Sequence, residues 1–331
     1  MSKVVLGFSG GVDSAVSAVL LKKAGHQVIG VYLDNADKAA LDCAVDAAAR
    51  MDIPLEVLNV AAELEEKVCK PFTACYLSGR TPNPCIICNP GVKFKNLLAA
   101  ADRLGAEYIA TGHYARAEGG KLYKGRPSND QSYMLCRLTM EQAGRLLLPL
   151  GEYEKTQVRA MAEEFALPSA AKPDSMEICF IPDKNYIRWL SQRAELPGEG
   201  DFIFHGEKLG RHEGIYRYTV GQRRPGLFDG RKLYISRIDA ASNSIELALW
   251  EELFKTELSV EDFSWLIEEP GEPISGSVRV RHTKWENPDC SARVDGSLVR
   301  ISCVEPVRAP AAGQSAVLYS GEQLLGGGFI V

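Results

Sequence analysis

The chain has 331 residues, 46% of them hydrophobic and 24% charged, with a formal net charge of −5. That length supplies a full core and two or three domains, and the composition is that of a soluble globular protein. No apolar run reaches membrane-spanning length, no signal peptide is visible, and nine cysteines suggest reduced thiols in the cytoplasm rather than a disulfide framework; the mild acidity argues against a general polyanion binder without excluding a local basic surface.

The elements begin at once. Val4–Phe8 reads as a short buried strand and Ala15–Lys23 as the helix after it, with Ser9-Gly10-Gly11-Val12-Asp13-Ser14 between them. Adjacent glycines let the backbone turn sharply and approach a ligand with no Cβ in the way. Free N–H groups at the helix start favour an anion in that turn. No Gly-Lys-Ser/Thr follows, so this is not a Walker loop, and the spacing is not that of a dinucleotide fingerprint. The plain alternative is a strand-to-helix turn with a serine cap. The whole string, placed strand-to-helix, resembles the pyrophosphatase loop of ATP pyrophosphatases, which split ATP into AMP and pyrophosphate while adenylating a substrate oxygen.

Gln27–Leu33 is a second strand, residues 36–50 a helix, Leu55–Val60 a third strand, Lys95–Leu104 a helix, and Tyr108–Thr111 a further strand ending at Gly112-His113-Tyr114. This alternation predicts a parallel sheet with helices on both faces and ligands beyond the strand C-termini. Leu33 ends its strand on that side, where it could pack on adenine or simply belong to the core. The loop from Ser78 to Asn89, SGRTPNPCIICN, is shaped by two prolines and presents Cys85 and Cys88 at a spacing that suits metal ligation or redox chemistry. Cys69 and Cys75 are near enough in sequence to complete a structural zinc site. Residues 120–185 are irregular α/β, with one helix expected from Asp130 and another following Gly151–Lys155 and running to Phe165, and Cys179 between Ile178 and Phe180 reads on its own as buried filler.

Near residue 186 the pattern turns to short strands with Gly-rich turns. Between Gly214 and Ile238, Arg217, Arg223, Arg224, Arg231, Lys232 and Arg237 stand against Asp229 alone, with Tyr216 and Tyr218 interleaved. Either an RNA-facing patch or a solvated strand surface fits that pattern. From about 255, runs such as Ser277–His282, Ser291–Val294 and Val299–Val304 predict a small antiparallel barrel. The expected domains are residues 1–188, 189–252 and 253–331.

Taken together, the motifs GFSGGVDS, GRTPNP with Cys88-Asn89 and Val92-Lys93-Phe94, ATGHYAR, DQSY, Lys155 with VRAMAE, KPDSMEICFI, YTVGQRR, APAAGQSAVLY and LGGGFI resemble the tRNA-specific 2-thiouridylases from Val4 to Ile330. The resemblance implies an α/β fold: a parallel-sheet ATP pyrophosphatase (adenine nucleotide alpha hydrolase-like) domain followed by two smaller β-rich domains. It implies replacement of the wobble-uridine O2 of tRNA by sulfur, using ATP and Mg2+ and a sulfur-donor protein, a cysteine desulfurase or a sulfur relay. By resemblance, Gly7, Phe8, Ser9, Gly10, Gly11, Val12, Asp13, Ser14, Leu33 and Gly112 fall at ATP positions. Asn83, Pro84 and Cys85 fall at the target base, and His113, Asn129, Asp130, Gln131, Arg281, His282 and Gln314 at tRNA contacts. Cys179 would bear a persulfide; Cys88 would either attack Cys179 to free the terminal sulfur or act as the nucleophile, leaving a Cys88–Cys179 disulfide.

Three departures from the family pattern matter. Cys85 replaces an aspartate, Met176-Glu177 replaces a small residue and glycine, and the segments after Leu33 and Arg224 are short. With Cys85 present, Cys85, Cys88 and Cys179 are also the ligand set expected for a four-iron four-sulfur cluster with one open iron. Two alternatives stay open: a tRNA-binding relative with lost or altered thiolation, and an ATP pyrophosphatase acting on a small molecule.

Overall fold

The first strand explains the first domain. In the computed structural model, which describes residues 1–172, 178–224, 232–283 and 285–331, β1 (Lys3–Gly7) sends Val4 and Leu6 into one apolar cluster and Val5 into another. Consecutive apolar residues are what a strand covered on both faces requires. Then follow α1 (Val12–Lys23), β2 (Gln27–Asp34), α2 (Lys38–Arg50) and β3 (Leu55–Asn59). A run of short helices comes next: α3 (Ala61–Leu64), α4 (Lys70–Leu77), α5 (Pro84–Cys88) and α6 (Lys95–Leu104), with π-helical turns at Glu65–Cys69 and Asn89–Phe94. β4 (Tyr108–Ala110), the hairpin β5 (Ala115–Glu118) and β6 (Lys121–Lys124), α7 (Met140–Gly144), β7 (Leu146–Leu147), α8 (Lys155–Glu164) and α9 (Tyr186–Ser191) complete this part.

The sheet runs β3-β2-β1-β4-β7 with every pairing parallel. Its strand order reverses between β1 and β4, which opens a crevice beyond their C-terminal ends. The glycine loop leaves β1 at that point, and Gly112 follows β4 on the same side. The helix expected from Asp130 is instead a single 3-10 turn, Ser132–Leu135. Asp130 Oδ1 accepts from the N–H groups of Gly125 (2.8 Å) and Ser132 (3.0 Å), so the carboxylate ties the preceding loop to the start of this short turn.

The second sheet joins β8 (Gly200–Phe204), β9 (Glu207–His212), β10 (Arg223–Arg224), β11 (Leu233–Asp239) and β12 (Ser244–Ala248) in the order β10-β11-β12-β8-β9. The third comprises β13 (Phe254–Trp265), β14 (Ile274–Arg279), β15 (Asn287–Asp295), β16 (Leu298–Arg308), β17 (Ser315–Ser320) and β18 (Gln323–Ile330). Pairing of β13 with both β16 and β18 closes these six into a barrel. The hairpin β5–β6 docks on it through Gln323 opposite Tyr123. β6, which lies in the stretch read as irregular α/β, thus extends the last domain's sheet together with β5. Phe94, Leu97, Tyr133 and Leu135 share one apolar cluster with Val317, Tyr319 and Leu324 of the barrel.

No helix among the described residues is long and apolar enough to cross a membrane. Of the sequence features singled out above, Met176, Glu177, Asp229 and Arg231, with residues 173–175 of the KPDSMEICFI motif, lie outside the described residues.

Candidate active site

Gly10 sits at φ +68, and a Cβ there would come 2.8 Å from Ala44 Cα and 3.0 Å from Cys43 O. Only glycine fits that turn. Gly11 is the N-cap of α1 and no side chain caps the helix, so its first-turn N–H groups face the crevice. Ser14 Oγ donates to Gly11 O at 3.1 Å and lies 3.3 Å from Ser9 Oγ, so both hydroxyls border the turn. Phe8 and Val12 anchor it from below as buried core. This is a concave, donor-lined cradle of the kind that takes phosphate.

Asp13, in the first turn of α1, accepts three hydrogen bonds from two side chains. Lys155 Nζ donates to its Oδ1 and Oδ2 at 2.6 and 2.8 Å, and Tyr114 OH donates to Oδ1 at 2.7 Å. Gly112 lets β4 approach, since a Cβ there would be 3.0 Å from Asp13. Gln131 fixes Tyr114 in turn: Tyr114 N–H donates to Gln131 Oε1 (3.0 Å) and Gln131 N–H to Tyr114 O (2.7 Å). Lys172 Nζ reaches Gly10 O at 3.1 Å. Lys155, Tyr114 and Lys172 were not among the residues assigned from sequence. All three stand inside quoted motifs, but only the fold shows that they converge on Asp13 and the loop.

The thiols gather beyond the same edge of the sheet. Pro84 opens α5 and Asn83 precedes it; both are buried, with Asn83 Nδ2 3.5 Å from Met134 Sδ. Cys85 is exposed on the first turn and Cys88 half-buried at the end of α5. Asn89, which sequence reading left without a role, donates to Met134 O at 2.8 Å and pins the following turn. Cys179 lies against the turn that follows β2, its carbonyl accepting from Asn35 Nδ2 at 3.5 Å. Burial pushes the Cys88 thiol up to about 11, against the opposing charge of Lys93 and a hydrogen bond from the Lys93 backbone. Cys179 is exposed as a residue, yet protein atoms crowding its sulfur raise its pKa too, again opposed by Lys93. Negative charge on Cys179 or Cys85 raises Cys88 further, and Cys85 does the same to Cys179, so the three sulfurs are electrostatic neighbours.

Neither metal expectation is assembled. Among the described residues no three His, Cys, Asp or Glu side chains are arranged to hold a metal ion. Cys69 is buried in an apolar cluster and pushed up to about 12 by that burial, and Cys75 lies beside Gly313. All nine cysteines are free thiols. Among the described residues, then, nothing supports a four-iron four-sulfur cluster on Cys85, Cys88 and Cys179.

Family models match all three parts of the chain: a tRNA methyl transferase HUP domain over residues 2–183, a tRNA methyl transferase PRC-barrel domain over 190–248, and an aminomethyltransferase beta-barrel domain over 255–330. A tRNA-specific 2-thiouridylase of Syntrophotalea carbinolica is 40% identical over 344 residues, covering 99% of this chain and 98% of its own. The chain belongs to the tRNA-specific 2-thiouridylase family. The corresponding protein of Pelotomaculum thermopropionicum is 41% identical over 354 residues, with 99% and 97% covered. A 4-thiouridine synthetase solved with RNA and bound ATP is similar at a TM-score of 0.37 and 19% identity, over 58% of this chain and 50% of that one.

The remaining family positions are spread along the domain seams. Leu33 is half-buried between two apolar clusters. His113 pairs Nδ1 with Thr111 Oγ1 at 2.7 Å and stacks on Phe94; burial, then the Lys93 charge, holds the ring well below its usual pKa, so it is neutral at pH 7. Asn129 Nδ2 donates to Tyr153 O at 3.4 Å. Arg281 Nη2 donates to Val220 O (2.6 Å) and Ala309 O (2.9 Å), His282 Nε2 lies 3.2 Å from Asp130 O, and Gln314 Nε2 donates to Thr81 O (3.1 Å) and Pro82 O (3.4 Å). In the basic stretch, Arg237 is paired with Glu246 and Asp239, and Arg224 lies over Phe202 and Tyr218.

Proposed function

We propose that the protein carries out ATP-dependent 2-thiolation of the wobble uridine of tRNA, with domains dividing near residues 188 and 252. The observation that carries this reading is the placement of an ATP pyrophosphatase-type loop and two separate thiols, Cys88 and Cys179, beyond one edge of the sheet, in a chain about 40% identical to 2-thiouridylases over its length. Methyl transfer, which the family-model descriptions name, calls for neither feature.

The residues of the loop fit a nucleotide with magnesium. Gly10, Gly11 and the first-turn N–H groups of α1 would hold phosphate oxygens, with Ser9 and Ser14 adding hydroxyls. ATP supplies an adenylyl group that turns uracil O2 into part of a leaving group. Asp13 is paired with and oriented by Lys155, and its carboxylate would stand at the metal–phosphate end of the loop. At the other end, Cys179 carries a persulfide loaded by a sulfur-donor protein. Cys88 thiolate attacks Cys179 Sγ and forms a Cys88–Cys179 disulfide. The hydrosulfide so released adds at C2 and displaces AMP, and an external dithiol reduces the disulfide. Both thiols sit above the usual cysteine pKa in the free protein, so Lys93 is the cation on hand to favour their thiolates. Cytoplasmic tRNA is the expected substrate.

The test is unmodified tRNA with ATP, Mg2+ and a persulfide donor, followed by nucleoside mass spectrometry and pyrophosphate assay. We expect 2-thiouridine and pyrophosphate together from the wild type, with Cys88→Ser losing the 2-thiouridine but not the pyrophosphate. Binding of tRNA with no pyrophosphate released would favour the RNA-binding relative; pyrophosphate without tRNA would favour a small-molecule substrate.

A further inference from the structure

The loop between α4 and α5 is gripped from outside its own domain. Arg80 Nη2 donates to Glu261 Oε1 of β13 at 2.5 Å and to Ile330 O of β18 at 3.3 Å. Thr81 N–H donates to Ala312 O at 2.9 Å, while Gln314 Nε2 returns to Thr81 O and Pro82 O. Gln314 is itself fixed, because Ile330 N–H donates to its carbonyl at 2.8 Å and Gly313 N–H to Ile330 O at 2.9 Å. Gly313 allows the close approach: at φ +85, a Cβ on it would lie 3.0 Å from Arg80 Cβ, Cys75 Sγ and Thr81 O. The middle domain adds Thr219 Oγ1, 3.3 Å from Thr81 Oγ1.

Immediately after the gripped residues come buried Asn83 and Pro84 and then α5, which carries Cys85 and Cys88. α5 is the first turn of a helical run that continues through the π-helical turn at Asn89–Phe94 into α6, so the gripped residues fix where that run begins and how its first turn, with Cys88, is presented. We propose that the C-terminal barrel clamps this loop through Glu261, Gln314 and the 311–314 backbone, and thereby positions Cys88 for sulfur transfer. Gln314 and Arg80 are positioning residues in this arrangement. The inference rests on the reading of Cys88 as a sulfur-handling thiol. Its consequence is that the domain expected to take tRNA also sets the geometry of the thiol, so RNA docking and sulfur chemistry are mechanically linked.

The Arg80–Glu261 pair is partly exposed and contributes little by itself. The part-buried carbonyl contacts of Gln314 should matter more, since removing the donor leaves two carbonyls without it. The experiment compares Gln314→Leu, Arg80→Met and the charge swap Arg80→Glu with Glu261→Arg. Three quantities are read on folded protein: the rate of Cys88 alkylation by iodoacetamide without RNA or nucleotide, the tRNA Kd, and kcat at saturating tRNA. Misplacement by about 1 Å should lower kcat roughly tenfold to hundredfold. We expect that loss in Gln314→Leu, together with a changed alkylation rate and a nearly unchanged tRNA Kd. The swap should recover part of what Arg80→Met loses. Wild-type alkylation and kcat with only a weakened Kd would make Gln314 an RNA contact and overturn the clamp. If the wild type forms no 2-thiouridine yet the variants alter Cys88 alkylation, the clamp stands and the functional reading falls. Should Gln314→Leu fail to fold, the Arg80 pair and its swap decide the matter alone.

Discussion

Among the described residues, Lys93 is the one cation that acts on Cys88, Cys179 and His113 together. It follows the CxxC helix by one turn and is half-buried, so its charge is screened less than that of a surface lysine. Both thiols are raised by burial, which means their reactive thiolates are minor species at neutral pH and grow as pH rises toward each pKa. Lys93→Met should raise both further, slow Cys88 alkylation at pH 8 by about threefold to tenfold, and move the pH–rate curve to higher pH. Lys93→Arg should stay near wild type. Identical alkylation curves for the wild type and Lys93→Met between pH 7 and 10 would remove Lys93 from the thiol chemistry. Sequence reading quoted this lysine inside a motif and gave it no role, because a lysine beside a Val and a Phe carries no signal until the fold sets two sulfurs near it.

At the scale of the element, the loop between β1 and α1 separates two glycines that look alike in sequence. Gly10 has a positive φ and would meet the α2 backbone, whereas Gly11 has φ −85 and, among the described residues, a Cβ there would find only Ser9 Oγ at 3.4 Å. Gly10→Ala should therefore lose about 1–2 kcal/mol of stability from backbone strain alone, and more from overlap with Ala44. Gly11→Ala should fold normally, within about 0.5 kcal/mol, yet obstruct the close approach of phosphate. Thermal melts and ATP binding separate the two; equal melting temperatures would mean the turn is not strained as described. The strand–loop–helix unit was legible because a buried run, two glycines and an apolar helix follow one another without interruption. The helix expected from Asp130 is only the short turn Ser132–Leu135, whose start the Asp130 carboxylate ties to Gly125. The β5–β6 hairpin was unreadable, since its partner strand lies some two hundred residues later.

At the scale of the molecule, the first domain and the barrel meet across charges as well as apolar side chains. Arg279 of β14 donates to Asp130 Oδ2 at 2.5 Å and to Glu286 Oε2 at 2.9 Å, Lys124 of β6 reaches Glu286 Oε1 at 2.7 Å, and the Asp130 side chain is only 5% exposed. Ser132 Oγ donates to Asp130 Oδ2 at 3.0 Å and lies 3.1 Å from Tyr319 OH, so the hydroxyls finish the network. By resemblance Asp130 is a tRNA contact; here its carboxylate is spent inside the protein. Asp130→Asn keeps the shape but leaves the Arg279 charge, itself 11% exposed, with one carboxylate instead of two. Breaking a buried pair from one side typically costs about 3–5 kcal/mol. Asp130→Asn should accordingly lower the thermal midpoint well beyond a surface substitution, and Arg279→Met should do the same. The double variant should lose less than the sum of the two, because each single change strands the other's partner. Weakened tRNA binding by Asp130→Asn should then follow the loss of domain docking, and should be matched by Arg279→Met. If Asp130→Asn melts like the wild type while its tRNA affinity falls and that of Arg279→Met does not, Asp130 acts on the RNA directly and the seam is not what holds the barrel in place.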